Sequence, residues 1–466
     1  MPTAIQSMSG STTLSAHEPL AVRIARSIAS SRPGDLGSEA IEKAKLCLFD
    51  LIGCALESRE LPWSRQAAQL AHRVSDGATI IGAPYAAPYA DAAFANAVMG
   101  HGLVREDMHA GSISHLGIVV LPALLALAQY RRVTGWDFIV AAIAGYEVGG
   151  RIGRVLMDAD LARIHRPTGI TGPVAAAAAG ARLLGLGLKE ATSAVALGAN
   201  TAGGFNQWAH TGGTEMFFHA GFAARAAVTA VRLAEAGAFA SPSALDGEAG
   251  LFAALRKRPA ASKVELFSGP PEILSVYHKP VPACNFAQTP CQAAVRIARE
   301  EKVSPEQIAA IKVRVPRAGA LYPGCDFTGP FAHILQAKMS IQYNVAAALI
   351  KSGVSEGNFT LLNDPLLRRL VSLTTLEVDD DMTGAYPDRQ GGEVEVRLSR
   401  GAVSRVRLDD VVNAAASDVR DRFRTAAESV PGIGNGRARE IEEFIDRLEL
   451  NEDVGRLGAL LRATAV

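Results

Sequence analysis

The sequence predicts a mainly α protein, in which a large, discontinuous all-α-helical domain holds a smaller α+β lid domain between its two parts. Three observations predict it. The first 270 residues carry apolar, Ala- and Gly-rich segments at helical spacing, with almost no alternation of period two. Near residue 270 prolines crowd in and β-like runs follow, and from Asp418 the pattern is helical again. The expected organisation is an all-α domain over 1–270, an α+β lid over 271–408 and C-terminal helices over 409–466 that return to the first domain. A chain of 466 residues with 48% hydrophobic side chains exceeds the usual size of one core, which agrees with two domains.

Residues 1–15 read as a disordered start. Ser38 is a candidate N-cap, after which Ile41, Ala44, Leu48, Ile52 and Ala55 repeat at three- and four-residue spacing. Helical segments follow at 89–104, 117–132, 136–155, 169–184, 188–202 and 220–237. The small residues of AAIAGYEVGGRIG and GPVAAAAAGARLLG suit closely approaching helix backbones. SGPPEILSVYHKPVPAC, with four prolines, cannot be a continuous helix. Beyond it IKVRVP and Thr375–Val378 read as strands, and GGEVEVRLSRGAVSRVRLDD as a hairpin turning near Ser399–Gly401. The phase slip between Val403 and Val406 suggests a bulge.

Composition narrows the function classes. Lys+Arg and Asp+Glu both number 47, so no long-range field favours nucleic acid or an anionic membrane. No uninterrupted apolar window is long enough to span a bilayer, and the start lacks signal-peptide character, which points to a cytoplasmic protein. The five cysteines are odd in number and form no CxxC, so they read as buried thiols in a reducing compartment. There is no GxGxxG after a strand, no P-loop, no HExxH and no GxSxG. The expectation is therefore no cofactor and no metal, and acid–base chemistry by side chains.

Five stretches can carry that chemistry. His101-Gly-Leu-Val-Arg105-Glu-Asp107-Met-His109-Ala-Gly-Ser-Ile-Ser-His115 concentrates three of the ten histidines in a loop between two apolar helices. The alternative there is a solvated turn with His115 as a helix cap. Arg163-Ile-His165-Arg166-Pro167 precedes a Gly-opened helix and suits an anion at a helix N-terminus, or is an exposed basic turn. In His278-Lys279-Pro-Val-Pro-Ala-Cys284 the prolines fix where Lys279 points, and a Lys in an apolar cleft can act as a base. Tyr343, in KMSIQYNVAAALI, either offers a phenol to the cleft or is a satisfied core tyrosine. FNQWAHTGGTEMFFH, ending at His219, suits a ligand-facing loop or a packing role.

These motifs, in this order, resemble the MmgE/PrpD family. The likeness runs from about residue 18 to 460, through AKLCLFDLIGCAL, ADAAFANAVMGHGLV, SHLGIVVLPALLALA, GYEVGGRIG, KPVPAC, AKMSIQYNVAAALI and RLGALLRA. It implies a helical domain plus an α+β lid, a homodimer, and a small polycarboxylate as substrate. It also implies His115, His165, Lys279 and Tyr343 as catalytic residues. Two departures stand out. The family's dehydratase and decarboxylase branches carry H-x-L-D-Y/F-D-D, whereas here Val104 replaces the first Asp and Arg105 the aromatic residue. Near its T-K-x-L-H-x-G segment this chain reads Thr214-Glu-Met-Phe-Phe-His-Ala-Gly221, without the lysine. These departures resemble the branch that epimerises iminodisuccinate. On that expectation Lys279 and His115 remove and return an α-proton on opposite faces, with His165 or Tyr343 as a further donor. Arg105, Arg163 and Arg166 hold carboxylates, with Asp107, His109 and His219 beside them as substrate contacts. The alternatives are a hydro-lyase or decarboxylase of a polycarboxylate such as 2-methylcitrate or cis-aconitate, and a non-catalytic carboxylate-binding protein.

Overall fold

A computed structural model describes residues 18–464 of the chain, so the expected disordered start lies outside the described residues but for its neighbours from Glu18 on. The first part is helical. Its main helices are α1 (Ser38–Ser58), α2 (Tyr89–His101), α3 (Gly117–Tyr130), α4 (Gly135–Leu156), α5 (Pro167–Leu183), α6 (Leu188–Asn200) and α7 (Glu215–Glu235). Ser38 is the first helical residue of α1; Gly37 precedes it and no side chain caps that end. Helix α7 starts five residues before the expected 220, so His219 sits in its second turn and not ahead of it.

Helix α5 lies at the centre and packs against α3, α4, α6 and α7. Every residue from Pro167 to Ala181 is buried, which only small side chains permit at this density. A Cβ built on Gly149 of α4 would come 2.8 Å from the Cβ of Ala175. Glycine there lets the two helix axes approach at the cost of about 1 kcal/mol of helix propensity.

Two short strands tie the halves together. β1 (Met108–His109) pairs antiparallel with β2 (Val276–Tyr277). The second domain carries a four-stranded sheet of order β4-β3-β5-β6: β3 (Ile308–Val315), β4 (Thr374–Val378), β5 (Gly392–Leu398) and β6 (Val403–Leu408). β3 and β4 are parallel and the other pairs antiparallel. Helix α8 (Gln288–Glu300) covers the sheet, and α9 (Ile341–Lys351) packs on α8.

The hairpin has no bulge: β5 and β6 pair in unbroken register from Gly392↔Leu408 to Arg397↔Val403. The irregularity lies instead between β3 and β5, at Ile308/Ala310. The apparent slip arose because Val403 points to solvent while Ser404 takes the inward position, bonded to Glu301. A buried hydroxyl with a partner fills an inward site without being apolar, so hydrophobicity alone misplaces the phase.

The chain then returns to the helical domain through α10 (Ala416–Glu428), α11 (Gly434–Asp446) and α12 (Gly455–Leu461). Phe423 of α10 meets Phe49 of α1 edge-on, with ring centroids 5.2 Å apart. Arg422 of α10 also donates to the carbonyls of Lys279 and Pro280. The returning helix thus holds the proline-stiffened loop in place. Among the described residues no helix is long and apolar enough to cross a membrane.

Candidate active site

The loop between α2 and α3 is anchored before it is functional. Backbone pairing of β1 with β2 brings Lys279, two residues beyond β2, alongside it. The far end of the loop docks on the start of α5: His115 N–H donates to Thr168 Oγ1 at 3.1 Å, and Ser114 Oγ lies 3.0 Å from Thr171 Oγ1. Three distant stretches therefore meet where the helical and α+β domains touch.

At their meeting point Glu106, buried, places Oε1 2.6 Å from His101 Nδ1 and 2.7 Å from His115 Nδ1. Arg166, the residue before α5, lays Nη2 2.9 Å from His101 Nε2. A guanidinium can only donate, so His101 Nε2 carries the lone pair and its Nδ1–H donates to Glu106. His101 is thereby a neutral imidazole of fixed tautomer. Burial, chiefly, lowers its pKa and Arg166 adds to that, against the pull of Glu106. His115 Nδ1 faces two acceptors, Glu106 Oε1 and, at 3.2 Å, the Asp107 carbonyl. It too carries its proton on Nδ1, leaving Nε2 as a free lone pair. Burial, opposed by Glu106 and helped by Lys279, lowers His115 to about 3. Glu106 stays ionised: burial works against its charge, but the two imidazoles outweigh it and hold the carboxyl well below its ordinary range.

Two buried cations complete the group. Lys279 is fully buried, and its ammonium donates to the Ala283 carbonyl at 3.0 Å. Burial lowers its pKa, with Arg166 and Lys338 in the same direction and Glu106 and Cys284 opposed. Arg166 also donates to Tyr322 Oη at 3.1 Å, and its guanidinium lies 5.8 Å from the Trp208 ring. Neither Lys279 nor Arg166 forms an ion pair with a carboxylate among the described residues. Burying a cation without an anion costs several kcal/mol, so this arrangement favours an anionic ligand.

His115 and Arg166 line a small cavity of about 20 Å³, with Val104, Ile113, Trp208, Cys284 and Tyr322. Val104 and Ile113 both adopt left-handed backbone conformations (φ 58° and 53°). β-Branched residues rarely do so, and such strain concentrates at functional sites. Ile113 also lines a larger outer cleft of about 320 Å³ between the domains, where Arg154, Arg317 and Tyr386 stand.

His101, Glu106 and His115 have the spacing of metal ligands. His101, however, aims its protonated Nδ1 at the carboxylate and His115 its own at the Asp107 carbonyl, so the nitrogens nearest Glu106 both carry protons. Arg166 occupies the far side of His101, and Lys279 lies close enough to depress His115. A cation would have to displace those protons beside two positive groups, which disfavours this set as a metal centre.

The remaining expected residues, His219 and Arg163 apart, are engaged with other partners. Arg105 pairs through both terminal nitrogens with Glu57. The Asp107 carboxylate accepts from Tyr146 Oη at 2.5 Å behind the loop, where burial raises it to about 6. A Cβ at Gly117 would collide with that pair, 2.3 Å from Tyr146 Oη. His109 donates Nε2–H to Glu272 at 2.6 Å and accepts from Ser112 N–H at Nδ1, a bracing role shared with Arg154 on the same carboxylate. Arg163 is exposed. His165 is half-buried against Phe205, 5.9 Å between ring centres. His219 approaches the site from α7; burial, with Arg166 and His101, lowers it to about 4, and its buried Nδ1 has no partner. Tyr343 donates to the Asn358 carbonyl at 2.9 Å and packs between Phe331 and Phe359. Glu106, His101, Cys284 and Tyr322 were not expected as site residues. Glu106 and His101 lay inside the flagged loop, but nothing in its spacing distinguishes an inward from an outward acid.

The architecture and the site define a class: a two-domain protein with a positively charged, acid–base-equipped cavity where the domains meet. The chain belongs to the MmgE/PrpD family, matching its N-terminal domain over residues 22–263 and its C-terminal domain over 281–450. It is 25% identical to the cis-aconitate decarboxylase of Aspergillus terreus over 92% of both chains. It is 34% identical to the cis-aconitate decarboxylase-like protein oryM of Aspergillus oryzae over 221 residues, 44% of this chain and 45% of that protein. These names reverse the order of the two chemical readings drawn from the departures at Val104 and Thr214–Gly221.

Proposed function

We propose that the protein is a lyase that decarboxylates a small unsaturated tricarboxylate of the cis-aconitate type, using side chains for the proton transfer. The observation that carries this reading is a free His115 Nε2 and the buried, unpaired cation Arg166 on one small cavity, with a second buried, unpaired cation, Lys279, close enough to depress His115. The names of the relatives support it.

The reaction needs a proton at one alkene carbon as CO₂ leaves from the carbon beyond the other. The C–CO₂ electron pair becomes a new terminal methylene double bond, and the far carbon of the old double bond takes the proton. In this reading Arg166 and Lys279 hold the carboxylates that stay. The bound polyanion raises the depressed pKa of His115, which then collects a solvent proton on Nε2 and delivers it as general acid. Such a group contributes on the order of 10²–10⁴-fold. Glu106 stabilises the imidazolium that forms. A cavity of about 20 Å³ admits little beyond a water-sized molecule, so entry requires the Cys284–Tyr322 wall to move away from His115.

A second reading is favoured by Val104, an apolar wall residue where decarboxylating relatives of this family are expected to carry an acid: epimerisation of an amino-polycarboxylate such as iminodisuccinate. The expected homodimer belongs to the same proposal, and light scattering tests it. The deciding experiment incubates the protein in D₂O with cis-aconitate and, separately, with stereopure iminodisuccinate. Release of CO₂ with one deuterium in a methylene dicarboxylate is the expected result. Loss of chirality with uptake of deuterium at the α-carbon, without CO₂ from the first substrate, overturns the lyase reading in favour of the epimerase.

A further inference from the structure

Cys284 and Cys325 bring their sulfurs to 3.4 Å. They come from separate parts of the second domain. Cys284 ends the Lys279–Pro282 loop, and its N–H donates to the Lys338 carbonyl. Cys325 follows Tyr322, and its carbonyl accepts from Ile341 N–H at the start of α9. Both loops are thus tied to the 338–341 corner, which keeps the sulfurs together. All five cysteines are free thiols.

The two thiols are not equivalent. Cys284 lines the cavity beside His115 and Arg166, whereas Cys325 is fully buried behind it. Cys284 also precedes the helical run that begins at Asn285 and continues into α8. Its sulfur lies by the Phe286 N–H, with Lys279 and Arg166 nearby as cations. Positive surroundings of this kind favour thiolate. Cys325 has no comparable cation and is pushed up by burial.

We infer that Cys284 and Cys325 form a reversible two-electron thiol switch in the cavity wall, with Cys284 as the attacking sulfur, Cys325 as the resolving one and hydrogen peroxide as the oxidant. Cys284 thiolate attacks one peroxide oxygen; an S–O bond forms, the O–O bond breaks and hydroxide leaves to become water. The Cys325 sulfur then attacks the sulfenic sulfur. An S–S bond forms, the S–O bond breaks and a second water departs with the Cys325 proton. Two thiols lose two electrons and one peroxide is reduced to two waters. Closing the bond shortens the sulfur separation from 3.4 Å to about 2.05 Å, which draws the Cys284 and Cys325 loops together. A cavity of about 20 Å³ accommodates a water-sized oxidant but excludes a peptide disulfide, so the switch distinguishes oxidants by size.

The test treats the full chain with hydrogen peroxide and, in parallel, with glutathione disulfide, then maps peptides without reduction. The expected result is a Cys284–Cys325 cross-link with peroxide alone, reversed by dithiothreitol. In Cys325→Ser the same treatment is expected to leave Cys284 as sulfenic and then sulfinic acid, the first trapped by unfolding the treated protein in the presence of dimedone. Oxidation of wild-type Cys284 to sulfinic acid without a cross-link overturns the proposal, as does equal cross-linking by glutathione disulfide. The effect on turnover rests on the proposed lyase reading. There the cross-link is expected to lower activity at least tenfold, restored by dithiothreitol. Full activity in the cross-linked protein overturns the regulatory role, whereas an inactive untreated protein overturns only the lyase reading.

Discussion

The guanidinium of Arg166 donates to Nε2 of His101 across 2.9 Å. Because that nitrogen must then accept, the proton of His101 is committed to Glu106, while His115 carries its own on Nδ1 toward the Asp107 carbonyl, close to the same carboxylate. One arginine outside the flagged histidine loop sets the tautomer of one of its histidines.

Replacing Arg166 by Met removes both that constraint and one buried cation. We expect kcat/KM to fall by about 10²–10³-fold, the usual cost of one preorganised donor at a developing charge. His101 should become easier to protonate, since Arg166 now depresses it. Steady-state kinetics and imidazole ¹⁵N shifts check the two parts.

Lys279→Met is expected to separate stability from function. An unpaired buried ammonium is replaced by an apolar chain of similar length, which typically stabilises by about 1–3 kcal/mol. Turnover should be lost. The gain should be larger at pH 7 than near pH 10. Below the depressed folded pKa of Lys279 the native state must hold a charge that the unfolded chain holds in water. Urea unfolding at the two pH values, beside an activity assay, checks this.

The acid limb of stability should carry two opposed contributions. His115 titrates at about 3 in the folded chain against an ordinary 6.5. As pH falls through that window the unfolded chain takes up a proton that the native chain refuses, so stability is lost. Asp107 titrates at about 6 against 3.8. In that narrower window the native chain binds the extra proton, so stability rises as pH falls. His115→Asn should flatten the pH dependence between 6 and 4, and Asp107→Asn should steepen it. Each slope changes by up to about 1.4 kcal/mol per pH unit. Chemical denaturation across this range measures both.

Tyr343→Phe should cost about 1 kcal/mol of stability, the worth of one buried hydrogen bond to a carbonyl, and leave kcat/KM within about twofold. The hydroxyl is committed to Asn358. A loss of turnover far beyond that, with stability unchanged, would restore Tyr343 to the site.

What the sequence determined by itself was the helical and strand content and the two-domain outline. Apolar spacing is a local property, so segments such as 117–132 and 188–202 could be read within about two residues of Gly117–Tyr130 and Leu188–Asn200. It also marked the loop from His101 to His115 and the Lys279 segment as chemical. Only the tertiary structure decided which of those polar groups face one another. Pairing of Met108–His109 with Val276–Tyr277 set Lys279 against the histidines, while Glu57, Glu272 and Asn358 drew Arg105, His109 and Tyr343 into other partnerships. A buried polar side chain takes the partner that folding brings within about 3 Å, and that partner comes from residues far away along the chain.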